Sequence, residues 1–269
     1  MTTATTPSRI AGHFAELASQ NRKALVPYVT VGHPTKESTL EIVPALIEGG
    51  ATMVELGVPF SDPLADGPTI QRSGFKALQN GVTLAFCLET ARDLRAGGVE
   101  VPLIFMGYYN PILRYGLERF VADCAEAGVD GFIIPDLPPD ESAELAAISR
   151  KHQRDLIFMV APTSRDQHIE SLNGQASGFV YCVSITGVTG ARDDVSVDLP
   201  AFLARVRSKL ELPLAVGFGI STPEHVREIG RDADGVIVGS ALISRLDEAD
   251  PADAPTVARE FMRYLSGQA

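Results

Sequence analysis

One stretch of this chain decides its architecture: TMVELGVPFSDPLADGP, residues 52–68. It begins as a short apolar run, typical of a buried strand, and continues into a segment rich in Pro, Gly and Asp, which indicates a structured loop. Two carboxylates flank the turn, Glu55 inside the apolar run and Asp66 in the loop. A buried carboxylate is costly unless it has a partner or a task, so Glu55 is either a salt-bridged core residue or a functional one.

The same pattern repeats along the chain, where short apolar runs lead into loops and the loops lead into helical patterns. The apolar runs predict strands over residues 24–31, a run ending at Glu55, 103–107, 131–134, 156–160, 179–183, 214–217 and 235–238. The helical patterns begin near residues 36 and 165, cover 69–95, 117–127, 140–151, 200–210 and 222–229, and close the chain. Ile10, Phe14 and Leu17 lie at helical spacing and predict an extra helix before the first strand.

Eight strand–helix units in about 250 residues are the number and size of a (β/α)8 TIM barrel. The strands lack polar alternation, which indicates a parallel sheet covered by helices. A doubly wound open sheet is the competing architecture, but it usually carries a Gly-rich phosphate loop after its first strand, and His33-Pro34-Thr35 is not such a loop. No linker interrupts the pattern, so we expect a single domain over residues 1–269, with residues 1–7 flexible.

The composition limits the partners and the compartment. The formal net charge is −11 and the sequence pI is about 4.9, which argues against nucleic acid or an anionic membrane as a partner. The three cysteines are isolated, which suits a reducing compartment. The N-terminus has no apolar signal core and no run is long enough to span a bilayer, so a cytoplasmic location is expected.

Glycines at the ends of the last two strands predict a phosphate site. Gly217 and Gly219 end the seventh strand, and Gly239 and Ser240 end the eighth at a helix start. Backbone N–H groups at such positions bind anions, and barrels often hold a phosphate there. Gly190 lies in a Gly- and Asp-rich loop, residues 185–197, that is a candidate lid over the same site.

The types of residue missing from the predicted strand ends narrow the chemistry. No lysine falls there, as a Schiff-base mechanism would need, and His33 is the one histidine near this end of the barrel. The functional groups that remain are a predicted phosphate site and two carboxylates facing it, which suit metal-free general acid–base chemistry on a small phosphorylated molecule. Burial should raise the pKa of Glu55, whereas Asp66, on a wetter loop, should stay ionised.

Several motifs now resemble one family, the tryptophan synthase α subunits. The resemblance covers almost the whole chain, and its most specific part is VELGVPFSDPLADGP, residues 54–68. Matching motifs follow in order: PYVTVGHP at 27–34, YYNPI at 108–112, PDLP at 135–138, GVTG at 187–190 and GFGI at 217–220.

The resemblance implies a barrel that cleaves indole-3-glycerol phosphate to indole and glyceraldehyde 3-phosphate without a cofactor. It implies a β-subunit partner in an αββα heterotetramer, with pyridoxal phosphate expected on the β subunit alone. It also implies roles for individual residues: Glu55 as general acid–base at indole C3, Asp66 at the indole N–H, Tyr181 beside Glu55, Gly190, Gly219, Gly239 and Ser240 at the phosphate, Tyr108, Ile133 and Phe218 around the indole, and Thr189 on the lid.

Three alternatives remain open at this point. Another phosphate-binding barrel, such as an indole-glycerol-phosphate synthase or an isomerase, usually relies on a strand-end lysine or histidine. A catalytically silent barrel kept as an allosteric partner would not need both carboxylates. A stand-alone indole-releasing lyase would differ from the family only in lacking the β subunit.

Overall fold

The chain forms a closed parallel barrel. The computed structural model describes residues 8–183, 198–217 and 219–267, so the expectation that residues 1–7 are flexible lies outside the described residues. The strands pair in sequence order, and the eighth pairs back with the first, which confirms the predicted (β/α)8 architecture. They are β1 (Ala24–Thr30), β2 (Val54–Gly57), β3 (Leu103–Met106), β4 (Gly131–Ile133), β5 (Asp155–Val160), β6 (Val180–Val183), β7 (Leu214–Gly217) and β8 (Gly235–Val238).

Helices cover the outside of this barrel. They are α1 (Arg9–Ser19), α2 (Thr39–Glu48), α3 (Pro68–Gln79), α4 (Leu84–Ala96), α5 (Tyr109–Tyr115), α6 (Leu117–Ala127), α7 (Ala143–Lys151), α8 (Asp166–Ser171), α9 (Leu199–Arg207), α10 (Pro223–Ile229), α11 (Ser240–Glu248) and α12 (Ala254–Ser266). Short 3-10 turns at Pro139–Glu141 and Pro251–Asp253 precede α7 and α12. None of the helices in the described part of the chain is both long and apolar enough to cross a membrane.

The differences from the predicted elements are local. The sequence predicts α6 correctly but misses α5, which starts directly after the third strand end and contains Pro111. Asp136 stabilises α5, because its Oδ1 accepts a hydrogen bond from the Tyr109 N–H at 2.9 Å. The first helix after β1 begins at Thr39 and not near residue 36, since residues 35–38 form a turn in which Thr35 and Ser38 bond to each other.

The predicted N-terminal helix α1 closes one end of the barrel. Its buried face carries Ile10, Phe14 and Leu17, as the spacing predicted. These side chains join the cluster inside the barrel, where the Phe14 ring lies 5.6 Å from that of Phe179. The amino ends of the strands are therefore plugged by apolar packing.

A charged cluster reinforces the plugged end. Asp130, just before β4, accepts hydrogen bonds from the guanidinium groups of Arg9 (3.1 Å) and Arg95 (2.7 Å), and Arg154 lies 3.6 Å away. The carboxylate also accepts from the backbone N–H of Leu103 at 2.9 Å. Because every charge here has partners, this end ties α1, α4 and the strands together.

Candidate functional site

A cavity of about 240 Å³ lies at the opposite end, where the carboxyl ends of the strands meet. This is the end of the fold at which barrel enzymes carry their active sites. Six of the residues predicted for the site line this cavity: Glu55, Asp66, Tyr181, Gly219, Gly239 and Ser240. The structure therefore brings together residues that are far apart in sequence.

Glu55 reaches the cavity from the middle of β2. In the sheet register it lies beside Tyr28 of β1 and Ile104 of β3, so its side chain points into the barrel. The residue is 1% exposed, and neither carboxyl oxygen has a hydrogen-bond partner among the described residues. Burial, with a smaller contribution from the charge of Asp66, raises the pKa of Glu55 to about 8. The carboxyl is therefore mostly protonated at neutral pH and can both give and take a proton.

Asp66 approaches the same cavity from the loop between β2 and α3. The loop is less wet than its composition predicts, because Asp66 is half-buried. Desolvation raises its pKa to about 6, and the nearby Tyr108 hydroxyl offsets part of that increase. At pH 7 Asp66 is therefore mainly ionised and Glu55 mainly neutral, as predicted, although the pKa of Asp66 is higher than a wet loop would give.

Tyr108 supports the loop that carries Asp66 and does not line the main cavity. Its hydroxyl accepts a hydrogen bond from the Ala65 N–H at 3.0 Å, and its ring lies 5.2 Å from that of Phe60. Ile133 is fully buried, and it lines a second, smaller cavity together with Tyr108. Both residues thus lie behind the site and not at its surface. Three other predicted residues, Thr189, Gly190 and Phe218, and the candidate lid at 185–197, lie outside the described residues.

Two tyrosines stand over strand-end glycines at the cavity. Tyr181 of β6 lies over Gly217, and Tyr28 of β1 lies over Gly57; a Cβ atom at either glycine would collide with the tyrosine hydroxyl. Sequence reasoning found Tyr181 but missed Tyr28. The signal was present, because Tyr28 lies in the first apolar run and pairs with Glu55 once the strands are put in register.

The predicted phosphate residues form one wall of the cavity. Gly219 follows β7, Gly239 precedes α11 and Ser240 is its first residue. The nine-residue helix α11 therefore points its amino end, with free N–H groups and the positive end of its dipole, at the cavity. No lysine or arginine lines the cavity in the described part of the chain, so an anion here would be held by backbone groups.

His33, the histidine predicted near this end, belongs to the packing and not to the cavity. It is 1% exposed, and its Nε2 lies 3.0 Å from Oδ1 of Asp247 on α11. Burial lowers the pKa of His33, which keeps the ring neutral at pH 7 despite the opposing effect of Asp247. Within the described ranges, no three His, Cys, Asp or Glu side chains gather in a way that could hold a metal ion.

Comparison with known proteins identifies the family. The family model for the tryptophan synthase alpha chain matches residues 14–266. The chain belongs to the tryptophan synthase α-chain family. The tryptophan synthase alpha chain of Roseiflexus sp. (strain RS-1) is 55% identical over 260 residues, covering 97% of this chain and 100% of the relative. That of Geobacter sulfurreducens is 49% identical over 259 residues, covering 96% and 97%.

Solved structures of the family share the fold. The chain superimposes on a chain of Mycobacterium tuberculosis tryptophan synthase with a TM-score of 0.87 at 37% identity, covering 97% of this chain and 98% of that one. A tryptophan synthase alpha chain from Legionella pneumophila gives 0.87 at 35% identity, with the same coverage. Membership of the tryptophan synthase α-chain family makes the chain a lyase of tryptophan biosynthesis, and the roles of its individual residues are taken up next.

Proposed function

We propose that this chain cleaves indole-3-glycerol phosphate to indole and glyceraldehyde 3-phosphate by general acid–base chemistry centred on Glu55. The observation that carries the proposal is the state of this carboxyl: it is buried, faces a cavity, has no hydrogen-bond partner in the part of the chain that the structure describes, and is protonated near neutral pH. A buried ionisable group without a structural partner costs stability, and such costs concentrate at functional sites.

The proposed reaction is a retro-aldol cleavage. The neutral Glu55 carboxyl gives its proton to C3 of the indole, which turns the ring into an electron sink. The carboxylate so formed then takes the proton of the hydroxyl on the adjacent carbon. The electron pair of that O–H bond forms the aldehyde, and the pair of the breaking C–C bond returns to the ring to release indole. Glu55 ends protonated as it began, so no proton is gained or lost.

Asp66 and Tyr181 have supporting roles in this proposal. As C3 is protonated, positive charge develops at the indole nitrogen, and an ionised Asp66 would stabilise that charge and hold the N–H. Its pKa of about 6 leaves it mainly ionised at pH 7, when Glu55 is mainly neutral. Tyr181 packs inside the barrel on the same cavity and would hold the indole ring beside Glu55.

The substrate's phosphate would lie at Gly219, Gly239 and Ser240, with Gly190 closing the site from the 185–197 loop. The amino end of α11 supplies the N–H groups and dipole that an anion prefers. Tyr108, Ile133 and Phe218 would shape the indole end, with Tyr108 and Ile133 acting through the packing behind the cavity. Thr189 would meet Asp66 when the loop closes.

The relatives' name, alpha chain, implies a second type of chain, and we propose that this chain pairs with a β subunit in an αββα heterotetramer. The reaction itself would need no cofactor, with pyridoxal phosphate confined to the β subunit. The exposed side chain of Leu64 lies on the Asp66 loop, where a partner could contact it. A cytoplasmic location stays a prediction.

The test is indole release from indole-3-glycerol phosphate by the purified full chain. We expect indole and glyceraldehyde 3-phosphate in equal amounts, no release by Glu55→Gln, and wild-type release by Asp136→Asn. The last variant is a matched control, because Asp136 is a carboxylate at the same end of the barrel that caps α5. Release by Glu55→Gln at the wild-type rate would refute the role of Glu55. Adding a β subunit should raise turnover, and an unchanged rate would favour a stand-alone lyase.

A further inference from the structure

A chain of hydroxyl groups runs from the cavity into the barrel wall. The Tyr28 hydroxyl lies 3.3 Å from Oγ1 of Thr30, and that atom lies 2.6 Å from Oγ of Ser73 on α3. The Ser73 hydroxyl donates to the backbone carbonyl of Ile70 at 2.9 Å. Thr30 and Ser73 are 1% and 0% exposed, so neither hydroxyl can turn to water instead.

The direction of these bonds follows from counting protons. Each hydroxyl has a single proton to donate. The Ser73 hydroxyl donates its proton to the Ile70 carbonyl oxygen, so Thr30 must be the donor in the short Thr30–Ser73 bond. Thr30 then has none left, and Tyr28 is the only possible donor in the Tyr28–Thr30 contact. That contact is long for an O–H···O bond and therefore weak, but its sense is fixed.

The phenolic oxygen of Tyr28 consequently turns its lone pairs away from Thr30. Tyr28 is 8% exposed and lines the cavity with Glu55 and Asp66. Burial, followed by the charge of Asp66, raises the pKa of the phenol, so the group stays neutral and cannot act as a base. Glu55 makes no hydrogen bond to any described residue, so it does not use this acceptor. The cavity therefore offers an uncharged acceptor that no described residue of the chain occupies.

We propose that the Tyr28 oxygen accepts a hydrogen bond from a hydroxyl of the substrate's glycerol chain and so selects for a hydroxylated side chain. This rests on the proposed function, since the cavity must hold indole-3-glycerol phosphate. That substrate carries two side-chain hydroxyls between its ring and its phosphate. A site built to pair with a hydroxyl discriminates against analogues that lack it, because its own polar group is then left unpaired.

The test compares two ligands that differ in these hydroxyls. Equilibrium binding is measured by calorimetry for indole-3-glycerol phosphate and for indole-3-propanol phosphate, which has neither hydroxyl. The full-length proteins are Glu55→Gln, expected to bind without turnover, and the double variant Glu55→Gln/Tyr28→Phe. Phe keeps the ring over Gly57 and removes the acceptor. We expect roughly three- to tenfold weaker binding of the glycerol ligand and a change below about twofold for the propanol ligand.

A third protein tests the orientation of the proton. Thr30→Val, made in the Glu55→Gln background, removes the group that holds the Tyr28 proton, so the phenol can turn its proton into the cavity. We expect weaker binding of the glycerol ligand when Tyr28 is present and no further loss when Phe replaces it. Independent, additive losses would mean that Thr30 acts through packing.

Two outcomes would overturn the proposal: unchanged binding of the glycerol ligand by the Tyr28→Phe variant, or equal weakening of both ligands, which would indicate a structural role. Turnover by Glu55→Gln would refute a different claim, the catalytic role of Glu55. In that case kcat/KM of the single Tyr28→Phe variant replaces the binding constant for the glycerol ligand, and the same threefold to tenfold loss is expected.

Discussion

The two ends of the barrel treat a buried carboxylate in opposite ways. At the plugged end, Asp130 is surrounded by Arg9, Arg95 and Arg154 and also accepts a backbone N–H. At the open end, Glu55 is equally buried, but among the described residues its carboxyl has neither an ion-pair partner nor a hydrogen-bond donor. The first arrangement compensates the charge and holds the fold together. The second leaves the charge uncompensated, so the proton stays on the carboxyl and is available for chemistry.

The largest effect should come from removing the unpaired carboxyl. Glu55→Gln should lower kcat by at least about 10³-fold, in the upper range for loss of a general acid–base. The same change should raise the free energy of unfolding, since a neutral amide has no charged form to desolvate. Steady-state assays and thermal melts of one preparation check both. A variant that loses activity and also loses stability would contradict this view of the open end.

The stability gain has a predictable pH dependence. The pKa of Glu55 rises from its ordinary value of 4.5 to about 8 on folding, so between these values the folded chain holds a proton that the unfolded chain has lost. The wild type must therefore lose stability relative to Glu55→Gln as pH rises through this window, by on the order of 3 kcal/mol at pH 7. Below pH 4.5 the two proteins should melt alike. Melts across pH 4 to 9 measure the difference, and a constant difference would contradict the raised pKa.

The paired carboxylate should behave in the opposite way. Asp130→Asn leaves three arginines without their counter-charge, which typically costs about 3–5 kcal/mol when a buried ion pair loses one member. We expect that loss in denaturant unfolding, with kcat of the folded enzyme within about twofold of wild type because Asp130 lies at the far end of the barrel. A tenfold change in kcat without loss of stability would reverse the assignment of the two ends.

The pH dependence of activity should reflect the titration of the two carboxyl groups at the open end, Asp66 and Glu55, and of no group at the plugged end. Asp66 must be ionised and Glu55 protonated, and their pKa values are raised to about 6 and about 8. We expect a bell-shaped profile of kcat/KM with limbs near these values, shared between the two interacting groups. Asp66→Asn should remove the acid limb, while Arg95→Gln should leave both limbs in place. A profile that is flat from pH 5 to 9 would contradict the proposed roles.

The smallest expected effect is a difference in stability between substitutions of two arginines at the plugged end, Arg9 and Arg95. The Arg9 side chain is 49% exposed, whereas that of Arg95 is 16% exposed and donates to three backbone carbonyls besides Asp130. Arg9→Gln should therefore cost no more than about 1 kcal/mol, as exposed ion pairs do. Arg95→Gln should cost more, because it leaves three part-buried carbonyls without their donor. Chemical denaturation of the two variants side by side tests the order.

How far the sequence predicts this molecule depends on the range of the interaction. The apolar runs predict the strands well, because burial inside a parallel barrel needs continuous hydrophobic sequence, and the stretch at 52–68 places Glu55 correctly. The missed helix α5 is short and begins where a strand ends, so it has no periodicity of its own. Hydrophobic periodicity also does not predict helix boundaries that depend on a single side chain, such as the turn at Ser38.

In the candidate site, too, the features set by local sequence were predicted and those set by long-range contacts were missed. Glu55, Asp66 and the strand-end glycines were predicted, since their residue types are unusual at those positions. Tyr28 was missed, because its importance depends on which residue of β1 lies beside Glu55 in the register. The raised pKa of Asp66 was missed because burial of a loop depends on tertiary packing, here on Tyr108. Contacts between distant residues, such as His33 with Asp247, leave no trace in local sequence.

The closure of the barrel between β1 and β8 has a consequence for how the protein is made. Glu55 and Tyr28 come from the first two strands, but the proposed phosphate wall at Gly239 and Ser240 comes from the last strand and the helix after it. A ribosome that has released only the first two hundred residues has produced both carboxylates but not Gly219, Gly239 or Ser240. Contacts between such distant segments form slowly. The complete phosphate wall and the closed barrel should therefore appear together, late in synthesis.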